Sequence, residues 1–412
     1  MSFHVIDGGR GVLPDLCVEV DVTNVPTNPT RVWTDITTYV RQYTSTRSGR
    51  NDELQRTAPG TLSIQADNRG DVITTLALRK AQWVRVRSQW GGVAEARWQG
   101  IIETLPRQWP SAGHDSVIEI QAADILKIFR LYDLAGETFP AQRNDERVVA
   151  IAALVGVTTS SIDTDTDAAD AITDPLPEGS DALSMLLQIE ESENGLLVAE
   201  PDGTLSFQGR HWRLRNSATP ITTLGEGATD IPYRDTVTRD DDDTRIANIV
   251  SVTPLVGTPV VVNDSTSWGN YWKRRLNRTL ITSDVGVATD AANYLLGRYS
   301  DPSPRIPTIE PILSATVLPG TVYGTGSYGS GSYGTGRWAT MLAAGNSDRI
   351  NWTRAATTPL DEDAFIEQIG ETVTPGTDWQ IVLQLSPAAD EAGWVLDDAT
   401  YGLLGVSTVL VY

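Results

Sequence analysis

The residues best suited to bind a metal lie in the acidic stretch DTDTDAADAITD, residues 163–174. Four aspartates follow the spacing of the oxygen ligands in a calcium loop: Asp163, Asp165, Asp167 and Asp174. The match is incomplete, because Ala168 stands where the sharp turn needs glycine and Asp174 replaces the usual bidentate glutamate. The pattern favours a solvated acidic loop, with calcium binding as the alternative, and we expect no resident metal or cofactor.

Motifs for other chemistry are weak. The three histidines, His4, His114 and His211, share no metal-ligand spacing, and Cys17 is the only cysteine. No G-x-S-x-G elbow and no Gly-Lys dipeptide occur, which disfavours a serine hydrolase and excludes a Walker A loop. The 53 acidic residues guarantee some close carboxylate pairs, but the sequence does not show which of them converge. We therefore predict a protein that is not an enzyme.

A second charged stretch, residues 47–60, connects two predicted strands. Its arginines supply guanidinium forks, Asp52 and Glu53 supply carboxylates, and Leu54 is an apolar anchor. This mixed charge suits a protein partner better than a phosphate backbone, so the loop, which lies outside the strand pattern, is predicted to be an assembly contact. A solvated hairpin loop is the alternative. The candidate contacts are Arg47, Arg50, Leu54 and Arg56.

Residues 322–337 repeat Tyr-Gly about every five residues. Glycine at this density disfavours a stable core, so the stretch is predicted to be a flexible loop or an extended arm. Tyrosines can become contacts once a partner orders such a segment. The candidate contacts here are Tyr323, Tyr328 and Tyr333.

Composition limits the class of protein further. The chain has 412 residues and a formal net charge of −21, which disfavours a protein that reads DNA sequence. No apolar run reaches about 18 residues, and the first 15 residues do not resemble a signal peptide. We expect a chain made in the cytoplasm, without a membrane span, and with two to four domains.

The hydrophobic pattern predicts a mainly β chain with an α+β insertion. Short alternating strands over residues 1–135, with Leu62, Ile64 and Ala66 facing inward, indicate a first β-barrel-like domain. Residues 136–235 predict a small α+β domain. In it, Ser180 is expected to cap a helix that Gly195 ends. Residues 236–390 predict a second β-barrel-like domain, and residues 391–412 a C-terminal extension.

The hairpin signals agree with this division. Pro-Asp-Gly at residues 201–203 predicts the turn of a β-hairpin, because glycine permits the left-handed backbone there. Asn68 followed by Arg-Gly-Asp at residues 69–71 predicts another tight turn rather than an adhesive motif.

Taken in order, these segments resemble the tail-tip hub, or minor tail protein, of long-tailed double-stranded DNA bacteriophages. The stretch WTDITTYVRQYTSTRSGRNDELQRTAPGTLSIQADNRGD looks like that family's Trp-x-Asp strand, Arg-Gly-Arg hairpin and following strand. Ser48 interrupts the usual Arg-Gly-Arg, and WGNYWKRR is bulkier than the family's Tyr-Gly-Arg. The further matching segments are VIEIQAADILKIF, LLQIEESENGLLVAEPDGTLSFQGR, IANIVSVTP, DSTSWGNYWKRR, DWQIVLQLSP and ATYGLLG.

The resemblance implies a homotrimer whose two barrels per chain form a pseudo-sixfold ring at the virion tail tip. Such a ring joins the tail tube to the distal tip and surrounds the DNA path, which an acidic wall leaves unbound. The implied partners are the distal tail protein, the tape measure protein and tip or receptor-binding proteins. A host-surface-binding or cell-wall-degrading tail-tip protein remains the alternative.

Overall fold

The computed structural model describes most of the chain. The described residues are 13–22, 30–111, 115–158, 162–166, 172–173, 181–210, 212–227, 229–234, 237–239, 245–302, 304–313, 335–355 and 359–388. The fold is mainly β, so the predicted fold class is confirmed.

Strands are distributed along nearly the whole described chain. They are β1 (Asp15–Asp21), β2 (Trp33–Asp35), β3 (Val40–Thr46), β4 (Thr61–Asp67), β5 (Trp83–Trp90), β6 (Val93–Thr104), β7 (Arg107–Gln108), β8 (Val117–Ala123), β9 (Gln142–Arg143), β10 (Ile162–Thr164), β11 (Ile172–Thr173), β12 (Leu196–Ala199), β13 (Leu205–Gln208), β14 (Thr223–Leu224), β15 (Ile249–Thr253), β16 (Val260–Asn263), β17 (Arg275–Thr279), β18 (Thr308–Ile309), β19 (Arg349–Arg354), β20 (Leu360–Thr374) and β21 (Asp378–Pro387).

Helices occupy mainly the middle of the chain. They are α1 (Leu126–Arg130), α2 (Asn144–Val155), α3 (Ala182–Glu193), α4 (Trp212–Asn216), α5 (Ser265–Tyr271), α6 (Val285–Tyr299) and α7 (Thr335–Ala343). In the described part of the chain, no helix is long and apolar enough to cross a membrane.

One large sheet dominates the molecule. Its strand order is β14-β19-β20-β3-β4-β8-β6-β5-β1-β2, with β21 also on β20, β18 on β21, and β7 on β8. Alternation decides which face is buried: Leu62, Ile64 and Ala66 of β4 point into the core, as predicted from their period of two. The same core receives the aromatic side chains of Trp338 and Trp352.

All strands of the first predicted domain, β1–β8, and strands β18–β21 of the third belong to this same sheet. β3 pairs antiparallel with β20, from Tyr43 opposite Val373 to Thr46 opposite Gly370. The two predicted β-barrel-like domains therefore share one continuous sheet. β3 and β20 each present an unpaired edge to the other, and pairing them satisfies backbone groups that would otherwise need water. The domain boundaries themselves stay a prediction.

The α3 unit, residues 126–210, packs α1, α2 and α3 against the small sheet β10-β13-β12. Leu183 and Leu186 of α3, whose spacing puts them on one face of the helix, are buried in its core. The helix caps differ from the prediction. Asp181 caps α3 by accepting from the Ser184 N–H, and Asn194, with φ 50°, takes the left-handed position assigned to Gly195.

The α6 unit, residues 245–302, has its own three-stranded sheet, β16-β15-β17, covered by α6. Its buried side chains include Val250, Val252 and Leu295. Predicted as part of a β-barrel-like domain, this segment instead forms a separate layer of helix on sheet. Strand patterns do not show the crossover that makes β15 and β17 parallel.

The turn predictions are confirmed at both places. The Asp71 N–H donates to the Asn68 carbonyl at 2.9 Å, with Gly70 at φ 71°. The Gly203 N–H donates to the Glu200 carbonyl at 2.8 Å in the hairpin between β12 and β13. Both glycines adopt the positive φ that such turns require.

Candidate interaction site

The loop of residues 47–60 lies between β3 and β4 and folds back on itself. The Gly49 N–H donates to the Ala58 carbonyl at 3.1 Å, and the Ala58 N–H returns a bond to the Gly49 carbonyl at 2.7 Å. Asp52 then accepts from the Leu54 N–H at 2.7 Å, which makes a tight turn at the loop's tip. These local bonds give the loop a defined shape and direct its arginines toward the rest of the chain.

The base of the loop lies unusually close to β20. A Cβ atom placed on Gly49 would lie 2.3 Å from the Glu367 carbonyl oxygen, which only glycine avoids. Glu367 occupies a β-bulge, since the pairing of β20 with β21 shifts register between Ile366 and Gln368. The bulge frees the Glu367 backbone, and the Arg50 N–H donates to its carbonyl at 3.3 Å.

Two arginines hold the Glu367 carboxylate, which is 0% exposed. Arg50 Nε donates to Oε2 at 2.7 Å. Arg213, which lies in α4, donates from Nη1 to Oε1 at 2.7 Å and from Nη2 to Oε2 at 2.9 Å. The Ser386 hydroxyl also donates to Oε1. The carboxylate thus accepts from four donors on three elements, which satisfies a buried charge.

The pKa of Glu367 follows from this arrangement. Burial alone raises it, but the charges of Arg213 and Arg50 and the hydrogen bonds that they donate outweigh burial, so the pKa lies well below its ordinary value. Burial lowers the pKa of Arg50, and the Glu367 and Glu190 carboxylates reverse that effect, so its pKa is raised. Both groups stay charged in the folded protein.

A second buried acid, Glu371, lies four residues further along β20. Arg97 donates to Glu371 Oε1, and the Tyr43 hydroxyl donates to Oε2 at 3.0 Å. Arg47 Nη2 lies 3.6 Å from Oε1, while its Nη1 donates to the Ala344 carbonyl at 2.9 Å. Burial and the nearby Arg97 charge lower the pKa of Arg47 to about 10. Arg47 therefore fastens the start of the loop to the large sheet.

The end of α3 holds the other side of the loop. The Thr57 hydroxyl donates to Glu190 Oε1 at 2.6 Å. Glu191 accepts from Arg56 Nε at 2.8 Å and from Arg278 Nη1, on β17, at 2.6 Å. Burial raises the pKa of Glu190 to about 6, against the lowering effect of the Arg50 charge. Glu191 connects the loop, the α3 unit and the α6 unit through one carboxylate.

The acids of the loop itself also pair with arginines of later segments. Arg305 Nη1 donates to Glu53 Oε2 at 3.0 Å, and Arg245 forms an ion pair with Asp52. Leu54 is half-buried against the core of the α6 unit. The loop therefore contacts the large sheet, the α3 unit and the α6 unit.

The predicted site residues differ in how far they are buried. Arg47 and Arg50 are buried and pair with carboxylates of the same chain, and an assembly contact at the loop stays a prediction. Their burial follows from Glu367 and Glu371, which give each guanidinium an acidic partner. The Arg56 side chain is 51% exposed and pairs with Glu191 at the surface. Tyr323, Tyr328 and Tyr333 lie outside the described residues.

A cavity of about 50 Å³ lies beside the loop, where the three units meet. Its charged lining is mostly cationic: Arg50, Arg210, Arg213, Arg278, Arg298 and Glu53. Each of these arginines also contacts an oxygen of the protein, so the cavity belongs to the same charge network.

The acidic stretch of residues 163–174 lies partly outside the described residues, which include Asp163 and Asp165. Asp165 accepts from Arg215 Nη2 at 2.6 Å and from the Gly209 N–H at 3.3 Å. Within the described residues, no group of three His, Cys, Asp or Glu side chains is arranged to hold a metal ion.

Sequence reasoning did not find Glu367, Glu371, Arg97 or Arg213. The first two lie in a strand whose other buried side chains are apolar, and a charge at an inward position is the one signal that marks them. Ser48, singled out as a departure from the usual Arg-Gly-Arg, accepts from the Ala199 N–H at 2.6 Å and so connects the loop to β12.

Comparisons with known proteins show which solved structures share this fold. No family model and no curated protein matches the sequence. The solved tail protein from Neisseria meningitidis MC58 superposes with a TM-score of 0.59 at 12% identity, over 91% of this chain and 97% of that one. The 43 kDa tail protein of prophage MuSo2 from Shewanella oneidensis gives 0.53 at 11% identity, over 91% and 97%. The chain therefore has the fold of solved tail proteins, one of them from a prophage.

Proposed function

We propose that this chain is a structural protein of a long-tailed bacteriophage and forms the ring-shaped hub at the tip of the tail. The observation that carries the proposal is the shared fold, which extends over 91% of this chain and 97% of the Neisseria tail protein. A likeness over nearly both whole chains favours a common architecture over a shared small module.

In this proposal three copies form a ring that joins the tail tube to the distal tip. The partners are the distal tail protein, the tape measure protein and tip or receptor-binding proteins, and the location is the virion tail. The charge of −21 fits a wall past which DNA moves without being held, because acidic groups repel phosphates.

The buried network supports a structural role. The carboxylates of Glu367 and Glu371 accept hydrogen bonds from arginines and a tyrosine inside the chain. Both groups are buried, so a substrate cannot reach them. Arginine–carboxylate pairs of this kind fix the relative position of segments, as a load-carrying ring subunit requires. This role involves no catalysis.

The test is a cryo-EM map of phage particles, made with and without a functional copy of the gene. We expect a threefold ring of this chain around an open axis at the tail tip, and a complementing gene that restores tails. A particle map with intact tails that lack the chain contradicts the proposal.

The alternative is a host-surface-binding or cell-wall-degrading tail-tip protein. It is tested with purified protein on a peptidoglycan zymogram and in a pull-down with host cell walls. We expect no clearing and no retention. Clearing that disappears when one acidic residue is replaced by its amide establishes the alternative.

A further inference from the structure

Trp272 combines a strained backbone with an exposed side chain. It ends α5 and has φ 65° and ψ 166°, a conformation that glycine adopts and other residues almost never do. Its indole is 84% exposed, so burial of the ring does not compensate the strain within this chain. A large aromatic held in this way is better explained by a contact outside the chain.

A buried side chain holds the backbone in this conformation. Asn248, 0% exposed, donates from Nδ2 to the Trp272 carbonyl at 2.7 Å and accepts from the Arg274 N–H at 2.8 Å. The same amide lies 3.2 Å from the Ser267 hydroxyl. Both bonds lie on the C-terminal side of Trp272, so Asn248 holds the backbone from Trp272 to Arg274 in place before any partner arrives.

The residues next to Trp272 in the sequence are basic and aromatic. Lys273 Nζ lies 4.7 Å from the ring centre of Trp268, as in a cation–π contact. Lys273, Arg274 and Arg275 form the single run of three basic residues in a chain whose net charge is −21. We call Trp268–Arg275 the aromatic finger.

We infer that the aromatic finger binds an acidic surface of a second copy of this chain. Charge complementarity argues for this occupant, because 53 acidic against 32 basic residues make each copy a strongly acidic partner for a cationic finger. The contact joins two different surfaces, which is the kind of interface that closes a ring. This inference adds to the proposed function how neighbouring copies meet. It rests on the proposed function, because the ring is part of that proposal.

Trp272→Gly separates this role from a purely structural one. Glycine adopts φ 65° and ψ 166° without strain, so the variant should have a Tm equal to or above that of the wild type. Its self-association, measured by sedimentation velocity of the full chain, should weaken at least tenfold. Trp109→Ser is the matched control, because Trp109 is 68% exposed outside the finger, and it should associate like the wild type.

Charge is tested by Lys273→Glu combined with Arg275→Glu, two exposed positions. We expect this variant, and the wild type in high salt, to associate at least tenfold more weakly. Wild-type association in Trp272→Gly, or a wild-type protein that stays monomeric at every concentration, overturns the inference. If either variant keeps its self-association but loses binding to single-stranded DNA, the finger binds nucleic acid instead and the inference is also overturned.

Particle maps distinguish this failure from failure of the proposed function. A chain that is present in tails, and whose Trp272→Gly variant forms the same ring, contradicts only the finger. A chain that self-associates through the finger but is absent from tails contradicts the proposed function instead.

Discussion

At the scale of single residues, Glu367 shares one carboxylate between Arg50 and Arg213. A buried pair of this kind contributes little compared with a well-packed apolar core, but removing one partner is costly because the other charge stays buried. The arrangement therefore acts more as a constraint on which segments meet than as a source of stability.

Replacing Arg50 by Met tests that constraint. We expect the free energy of unfolding, measured in urea, to fall by about 3–5 kcal/mol, because Glu367 loses one of its two cations. The matched control is Arg234→Met, since the Arg234 side chain is 53% exposed in its pair with Glu310. The control should cost less than about 1 kcal/mol. Equal losses in the two variants contradict the prediction.

The pH dependence of stability should follow Asp124. This buried carboxyl accepts from the N–H groups of Gly60 and Leu126, and burial raises its pKa from 3.8 to about 7. The folded chain binds this proton more tightly than the unfolded chain. Its contribution is therefore complete below about pH 4 and is lost as the pH rises through 7. Glu190, with a pKa of about 6, acts in the same direction.

The measurement is the free energy of unfolding between pH 5 and 8. Glu367 acts in the opposite direction, since its lowered pKa makes its contribution fall only under acidic conditions, below this range. Asp124→Asn should flatten the decline by up to about 1.4 kcal/mol per pH unit. Asp71→Asn, at an exposed turn, serves as the control. An unchanged slope in Asp124→Asn speaks against the assignment.

Sequence reasoning selected Arg47, Arg50, Leu54 and Arg56 as candidate contacts, but it could not name the partners that the structure gives them within the chain. Arg50 and Glu367 are 317 residues apart, and no local pattern connects residues at that distance. Residue type predicted the chemistry of the contact, an arginine fork on a carboxylate. Which carboxylate it would be depends on the pairing of β3 with β20.

At the scale of elements, period and turn chemistry predicted the local structure well. The alternation around Val18 and Val20 predicts β1, and the helical spacing of Leu183 and Leu186 predicts α3. The α6 unit was not predicted as a unit, because its parallel pair needs a crossover that strand patterns do not encode.

Two glycines should respond in opposite ways to alanine. Gly49→Ala places a Cβ atom 2.3 Å from the Glu367 carbonyl oxygen, so the loop must move away from β20. We expect a loss of several kcal/mol, the range of serious core overpacking. Gly297 lies within α6 with no atom within 4 Å of a new Cβ, so Gly297→Ala should stabilise by about 0.5–1 kcal/mol. Thermal unfolding checks both signs, and a neutral Gly49→Ala refutes the close approach.

At the scale of the whole molecule, the loop of residues 47–60 connects three structural units. It contacts the large sheet through Glu367, the α3 unit through Glu190 and the α6 unit through Arg278. Three units that meet at one loop should unfold together, because loss of the loop removes contacts from all of them.

Glu191→Gln tests this coupling. Glu191 accepts from Arg56 and Arg278, and Arg278 Nη2 also donates to the Leu54 carbonyl at 2.7 Å. The amide keeps the shape but removes the charge that the two arginines share. We expect hydrogen exchange in β17 and α6 to become faster than in the large sheet, whereas the wild type protects both alike. Glu310→Gln, in the exposed pair with Arg234, is the control and should leave that balance unchanged. Equal protection of the α6 unit and the large sheet in Glu191→Gln would mean that apolar packing, and not this carboxylate, holds the three units together.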